Sequence, residues 1–341
     1  MKMAHKVVDL HCDSVFSLMD GKDLRKPVPG VHVDLPRLRK GAVALQVFAV
    51  YVPPSTPADE AFRYTSERLD AIEAFSRSDD LLTQVETAAE LREILAAEKT
   101  GVMAAVENGL AIENSLENLE RLRRRKVRIM TMVHSKHLPW AASCTGAEPF
   151  RPDGGVVNGG LSRFGERVVD AMNDLGIIPD LSHASESAFW DVIRRSKKPV
   201  IASHSCAFSL CAAARNLKDD QLKALAGSGG LVGVNFFSGF LSEKLRPKYE
   251  RDIESLTPRA VVDETPNSLI ADHIDHMLKV AGEDSVALGS DFDGIPAAPE
   301  GVTGSDFYPF LEEELRSRGY TEKRIEKIFS ANFLRVLEAW D

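Results

Sequence analysis

Val7-Val8-Asp9-Leu10-His11-Cys12-Asp13 is a short apolar run that ends abruptly in ionisable side chains. Residues 7–10 read as a buried strand, because the run is brief, β-branched at its start and followed at once by polar groups. The same pattern recurs at residues 44–50, 102–106, 127–133, 177–181, 200–202, 231–236 and 286–288. Such runs are typical of parallel strands covered on both faces. Between them, residues 58–76, 115–125, 163–175, 186–195, 219–226 and 268–280 have helical spacing, and 306–340 reads as two or three closing helices. Eight strand candidates alternating with helices predict a (β/α)8 TIM-like barrel, with residues 1–341 as a single domain. A doubly wound open sheet competes, but no Gly-x-Gly-x-x-Gly follows the first strand. Residues 53–57 and 144–160 are rich in turn formers, and the second stretch is expected to cover the barrel mouth.

Composition bounds the function. The 341 residues include 42 Lys+Arg against 51 Asp+Glu, a formal charge of −9, with 44% hydrophobic content. A chain this long buries roughly 75% of its unfolded surface, so its core needs no disulfides. The acidic balance argues against a nucleic-acid partner, which would want a basic stripe. Residues 121–128 form the one strong basic cluster, and it reads as a solvated helix end where cations suit the dipole. Cys12, Cys144, Cys206 and Cys211 form no Cys-x-x-Cys pair, which fits a reducing, cytoplasmic setting. The first residues do not read as a signal peptide, and no uncharged run of about 20 apolar residues predicts a membrane span.

The strand ends hold the chemistry. Residues 7–10 lead into His11 and Asp13, 102–106 into Glu107, 127–133 into His134, 177–181 into His183, 200–202 into His204, and 286–288 into Asp291. Singly, Glu107 could cap a helix and either Asp could serve a turn. In a parallel barrel, however, all these ends open on one face, where such folds keep their active sites. Alternation along an extended strand sends His11 and Asp13 to the same side, so both can reach one ion. Imidazole plus carboxylate suits Zn²⁺ or a similar divalent metal. His183 and His204 can supply a second ion, and the two oxygens of Glu107 can bridge the pair. Two such cations about 3.5–4 Å apart would share a hydroxide nucleophile, which implies metal-assisted hydrolysis.

The motifs extend along nearly the whole chain. They include Asp9-Leu10-His11-Cys12-Asp13, Val106-Glu107-Asn108-Gly109, Leu161-Ser162-Arg163-Phe164-Gly165, Asp180-Leu181-Ser182-His183 and Ser203-His204-Ser205. Arg215-Asn216, Val234-Asn235-Phe236, Gly289-Ser290-Asp291-Phe292-Asp293-Gly294 and Asn332-Phe333-Leu334-Arg335-Val336 follow in order. In this combination the sequence resembles the membrane (renal) dipeptidase family of zinc peptidases. Wider amidohydrolase sites usually begin with His-x-His and bridge with a carbamylated Lys; here His-x-Asp and Glu107 are similar to the dipeptidases.

The resemblance implies two Zn²⁺ per chain, one on His11 and Asp13, the other on His183 and His204, with Glu107 between. It implies that His134 polarises the scissile carbonyl, that Arg215 holds the substrate carboxylate, and that Asp291 moves the proton from water to the leaving amine. It further implies small dipeptide substrates, L-L and L-D, and a homodimer. A related hydrolase acting on another amide, a lactam or a lactone shares these ligands, and a non-catalytic metal-dependent scaffold would require Asp291 and His134 to be inert. Two departures stand out: Asn108 where many relatives have Gly, and Phe237 where many have Tyr.

Overall fold

A computed structural model describes residues 3–154, 159–250 and 261–341. Among these residues the chain forms nine strands: β1 (Val7–Cys12), β2 (Val43–Tyr51), β3 (Leu82–Gln84), β4 (Thr100–Glu107), β5 (Ile129–Thr131), β6 (Ile178–Asp180), β7 (Ile201–Ser205), β8 (Leu231–Val234) and β9 (Val286–Leu288). All named pairings are parallel. β2 and β4 pair from Leu45↔Gly101 to Tyr51↔Glu107, and β1 meets β9 at Asp9↔Leu288, so eight strands close into the expected barrel. β3 is an extra. It pairs only with the start of β4, leaving the end of β4 to β5.

Two apolar layers follow from the pleat. Val8, Leu10, Leu45, Val47, Met103, Ala105, Ile129, Ile178, Ile201 and Ala287 pack in one inner cluster with Phe333 and Trp340 from the C-terminal end. Their neighbours Val7, Phe48, Val102, Ala104, Val106 and Met130 pack in the larger cluster shared with the helices. Each central strand is thus apolar on both faces, as parallel barrels require.

The helices Arg163–Leu175 and Glu186–Arg195 have the expected bounds, and each starts at a Ser that accepts the N–H three residues on. The stretch expected to be helical from residue 58 starts instead at Ala61, because Pro57 O accepts the Glu60 N–H in a preceding turn. The closing segment contains Tyr308–Ser317, Glu322–Glu326 and Asn332–Glu338. Residues 155–158 of the turn-rich stretch lie outside the described residues; earlier in it, the Cys144 N–H donates to His183 O at 2.9 Å, beside the mouth.

The basic run lies at a helix end as expected, with Arg121, Arg124 and Lys126 exposed, and ion pairs hold several of its cations. Arg123 and Lys126 pair with Glu86 at 3.0 and 2.9 Å, Arg125 with Asp70, and Arg128 with Asp341 at 3.0 Å. No helix among the described residues is long and apolar enough to cross a membrane.

Candidate metal centre

Strict alternation would not deliver His11 to the barrel mouth. Val8 and Leu10 point inward, so Cys12 should too; instead Cys12 joins the outer cluster. A register irregularity between Asp9 and Cys12 accounts for the exchange, and His11 and Asp13 turn to the interior. β7 has a similar irregularity between Ala202 and Ser205, around His204. Glu107 needs none: it follows Met103 and Ala105 on the inner face of β4. β5 and β6 are shorter than expected, ending at Thr131 and Asp180, so His134 and His183 stand on the loops beyond them. His183 and Asp291 hold φ of 70° and 64°, left-handed conformations that cost a residue with a Cβ roughly 1–2 kcal/mol. Gly294 has no side chain because a Cβ there would collide with the Asp13 carboxylate.

Glu107 lies at the junction. Its Oε2 is 3.7 Å from His11 Nε2, which in turn is 3.6 Å from Asp13 Oδ2. Its Oε1 faces the other way, 3.0 Å from His183 Nε2 and 3.5 Å from His204 Nε2. His134 Nε2 approaches the same oxygen at 3.7 Å, and Asp291 Oδ1 is 3.9 Å from His11 Nε2. All four histidines, Asp13, Glu107 and Asp291 therefore meet at one place.

The electrostatics of the cluster call for added positive charge. Burial would lower the His11 pKa, yet Glu107 and Asp13 overcome it and hold the imidazole well above its usual value. Burial pushes Asp13 up to about 6, reinforced by Glu107, and raises Asp291 to about 8, reinforced by Asp13 and Glu107. Glu107, although buried, is held well below the usual carboxylate range by His134, His11 and His183. Burial keeps His204 down at about 3, with His11 adding to the effect, and keeps His183 well below its ordinary value. His183, His204 and Glu107 thus stand in the unprotonated states that metal ligation requires.

The donor set fits a metal. His11 Nε2 and Asp13 Oδ1 are buried without a hydrogen-bond partner, although both belong to groups that normally find one. Nitrogen and carboxylate oxygen donors suit Zn²⁺ and neighbouring divalent ions.

Around the cluster, Arg215 donates to His204 O at 3.0 Å and leaves a buried Nε unpaired, in the wall of a cleft of about 370 Å³ shared with Cys144, His183 and Phe208. Burial holds the His134 pKa at about 4, so its ring is neutral near pH 7. Two residues gain a place that the sequence reading did not give them. Asn235 Nδ2 donates to Asp291 Oδ2 at 2.8 Å, and the Tyr51 ring lies 4.6 Å from that of His134. Asn235 was visible in the Val-Asn-Phe run, whereas Tyr51 falls one residue past the expected strand. Phe237 packs against Phe240 and Tyr249 at 4.8 and 5.0 Å, an apolar nest.

The sequence matches the family described as membrane dipeptidase (peptidase family M19) over residues 1–341. The chain belongs to the membrane dipeptidase family. Among curated proteins it is 34% identical to mouse (Mus musculus) dipeptidase 3 and 33% to the rat (Rattus norvegicus) protein, over 89% of this chain. It spans only 57% and 58% of those two relatives. Among solved structures it resembles a Rhodobacter sphaeroides metallopeptidase liganded with a phosphinate mimic of L-Ala-D-Ala, with 28% identity, TM-score 0.87 and 99% of each chain covered. A second family structure, the metallopeptidase dipeptidase AC, gives 29% identity and TM-score 0.86 over 99% of each chain.

Proposed function

We propose that the protein is a metallo-dipeptidase that hydrolyses small L-L and L-D dipeptides, with two Zn²⁺ held by His11, Asp13, Glu107, His183 and His204. The observation that carries this reading is the division of Glu107: one carboxylate oxygen faces His11 and the other faces His183 and His204, in a chain of a dipeptidase family. When bound, the metals supply Lewis acidity and a hydroxide nucleophile near neutral pH.

The remaining work falls to the chain's own side chains. Arg215, buried with Nε free, offers a planar fork to the substrate's terminal carboxylate. A neutral His134 can donate an N–H to the carbonyl oxygen as it gains charge, without first losing a proton. Asp291 is held at Oδ2 by Asn235, and the pKa that burial raises would fall beside bound cations, so that its ionised Oδ1 could accept a proton from water and return it to the leaving amine. The phosphinate mimic seen in the Rhodobacter relative supports a site that admits a D-residue in second place.

The test is a panel of L-L and L-D dipeptides offered to zinc-loaded protein. Turnover is expected in both series. Folded, metal-loaded protein that turns over none of them overturns the reading.

A further inference from the structure

Asp180 is fully buried and touches no substrate pocket, yet it collects four donors. Its Oδ1 accepts the N–H groups of Ser182 and Ser203 at 3.0 and 2.8 Å. Its Oδ2 accepts the Thr131 and Ser203 hydroxyls, both at 2.6 Å. An ionised carboxylate only accepts, so the single Ser203 hydroxyl proton is committed to Asp180. Ser203 Oγ also lies 2.7 Å from His204 Nδ1. With its proton already given, Ser203 can only accept there, and His204 must hold its proton on Nδ1. Nε2 of His204 is then a bare lone pair, 3.1 Å from His183 Nε2 and 3.5 Å from Glu107 Oε1.

The backbone is built to keep this relay in register. Gly233 and Gly289 flank Ser203, and a Cβ on either would collide with the Ser203 carbonyl oxygen. The His204 N–H donates to Ser182 Oγ at 3.1 Å. His183 has no such lock, since its buried Nδ1 lacks a partner.

We propose that Ser203, oriented by Asp180, is a positioning residue that fixes His204 in its Nδ1–H tautomer and so presents a preformed Nε2 ligand. The inference rests on reading His204 as a metal ligand. A ring nitrogen fixed through its opposite N–H is the usual way proteins orient and strengthen a histidine ligand.

The test is long-range ¹⁵N–¹H NMR of full-length, chelator-stripped protein labelled at histidine, together with zinc titration against a competing chelator. Wild type should show His204 protonated at Nδ1; protonation at Nε2 overturns the proposal. Ser203→Ala should release the tautomer lock and weaken zinc binding about 10–100-fold. Asp180→Asn, which can donate its amide N–H to Ser203 and turn the hydroxyl toward Nδ1, should reverse the tautomer. Should either variant fail to fold, the wild-type spectrum and the other variant still decide. If Ser203→Ala loses the lock but binds zinc as wild type does, the positioning role is overturned; failure of the dipeptidase reading would show instead as absent turnover in wild type.

Discussion

Glu107 and Asp291 are both buried carboxylates in one cluster, yet their surroundings push them apart, which is the usual signature of a divided acid–base task. Removing Glu107 takes away the one group facing both halves of the site. Glu107→Ala should therefore lose bound zinc and turnover together, as read by metal analysis and a dipeptide assay. Asp291→Asn keeps the shape but not the proton chemistry. It should retain zinc and lower kcat by about 10²–10⁴-fold; loss of metal instead would make Asp291 a ligand, since its Oδ1 lies 3.9 Å from His11 Nε2. At this scale the sequence was informative about residue type and position, because ionisable groups directly after apolar runs are conspicuous. Backbone conformation was not legible. Asn108 holds φ 92°, a conformation that favours Gly, and its side chain offsets the strain by bonding Val52 O at 2.9 Å and the Leu110 N–H at 3.2 Å.

At the level of elements, the eight barrel strands were readable because each carries a short, mainly apolar run, although Asp9 and Gln46 interrupt two of them. Their irregularities were not, since a bulge inserts no characteristic residue. β3 escaped because it has three residues, two of them polar. The helix Ala88–Ala96 did carry a signal, the Thr87–Glu90 capping box, that the apolar spacing alone did not reveal. His273, unassigned from sequence, ties two elements. Its Nδ1 accepts the Ala207 N–H at 3.0 Å and its Nε2 donates to Leu241 O at 3.1 Å, so the helix Ser268–Ala281 grips the loop after β7. Burial lowers its pKa to about 4. A histidine that protonates near 6.5 when unfolded but only near 4 when folded binds more protons in the unfolded state between those values. Stability should therefore fall as pH drops from about 6.5 toward 4, by at most roughly 3 kcal/mol from this group. Denaturant melts of metal-free wild type and His273→Gln across that window should show a shallower slope in the variant.

Across the whole molecule, the barrel separates chemistry from closure. The ionisable cluster occupies the C-terminal ends of the strands, and the opposite end is sealed by Phe333, Val336, Leu337 and Trp340 packed under the inner layer. Trp340 is 2% exposed, donates Nε1–H to Pro199 O at 2.7 Å, and has Lys198 Nζ 5.1 Å from its ring centroid. The resemblance reached the Asn332-Phe333-Leu334-Arg335-Val336 run, but nothing in it showed that this segment plugs the barrel; only the closed topology gives the segment that task. Truncating a buried Trp typically costs about 3–5 kcal/mol, a large part of the total stability of a domain. Trp340→Ala should lower stability by that amount in denaturant melts. Trp340→Phe, which keeps most of the packing and loses the hydrogen bond, should cost only about 1 kcal/mol. Because distant sites act independently, zinc content and kcat of both variants, measured well below their melting temperatures, should equal those of wild type. A kcat loss in the folded Phe variant would mean that the two ends of the barrel are coupled, and the separation of closure from chemistry would have to be abandoned.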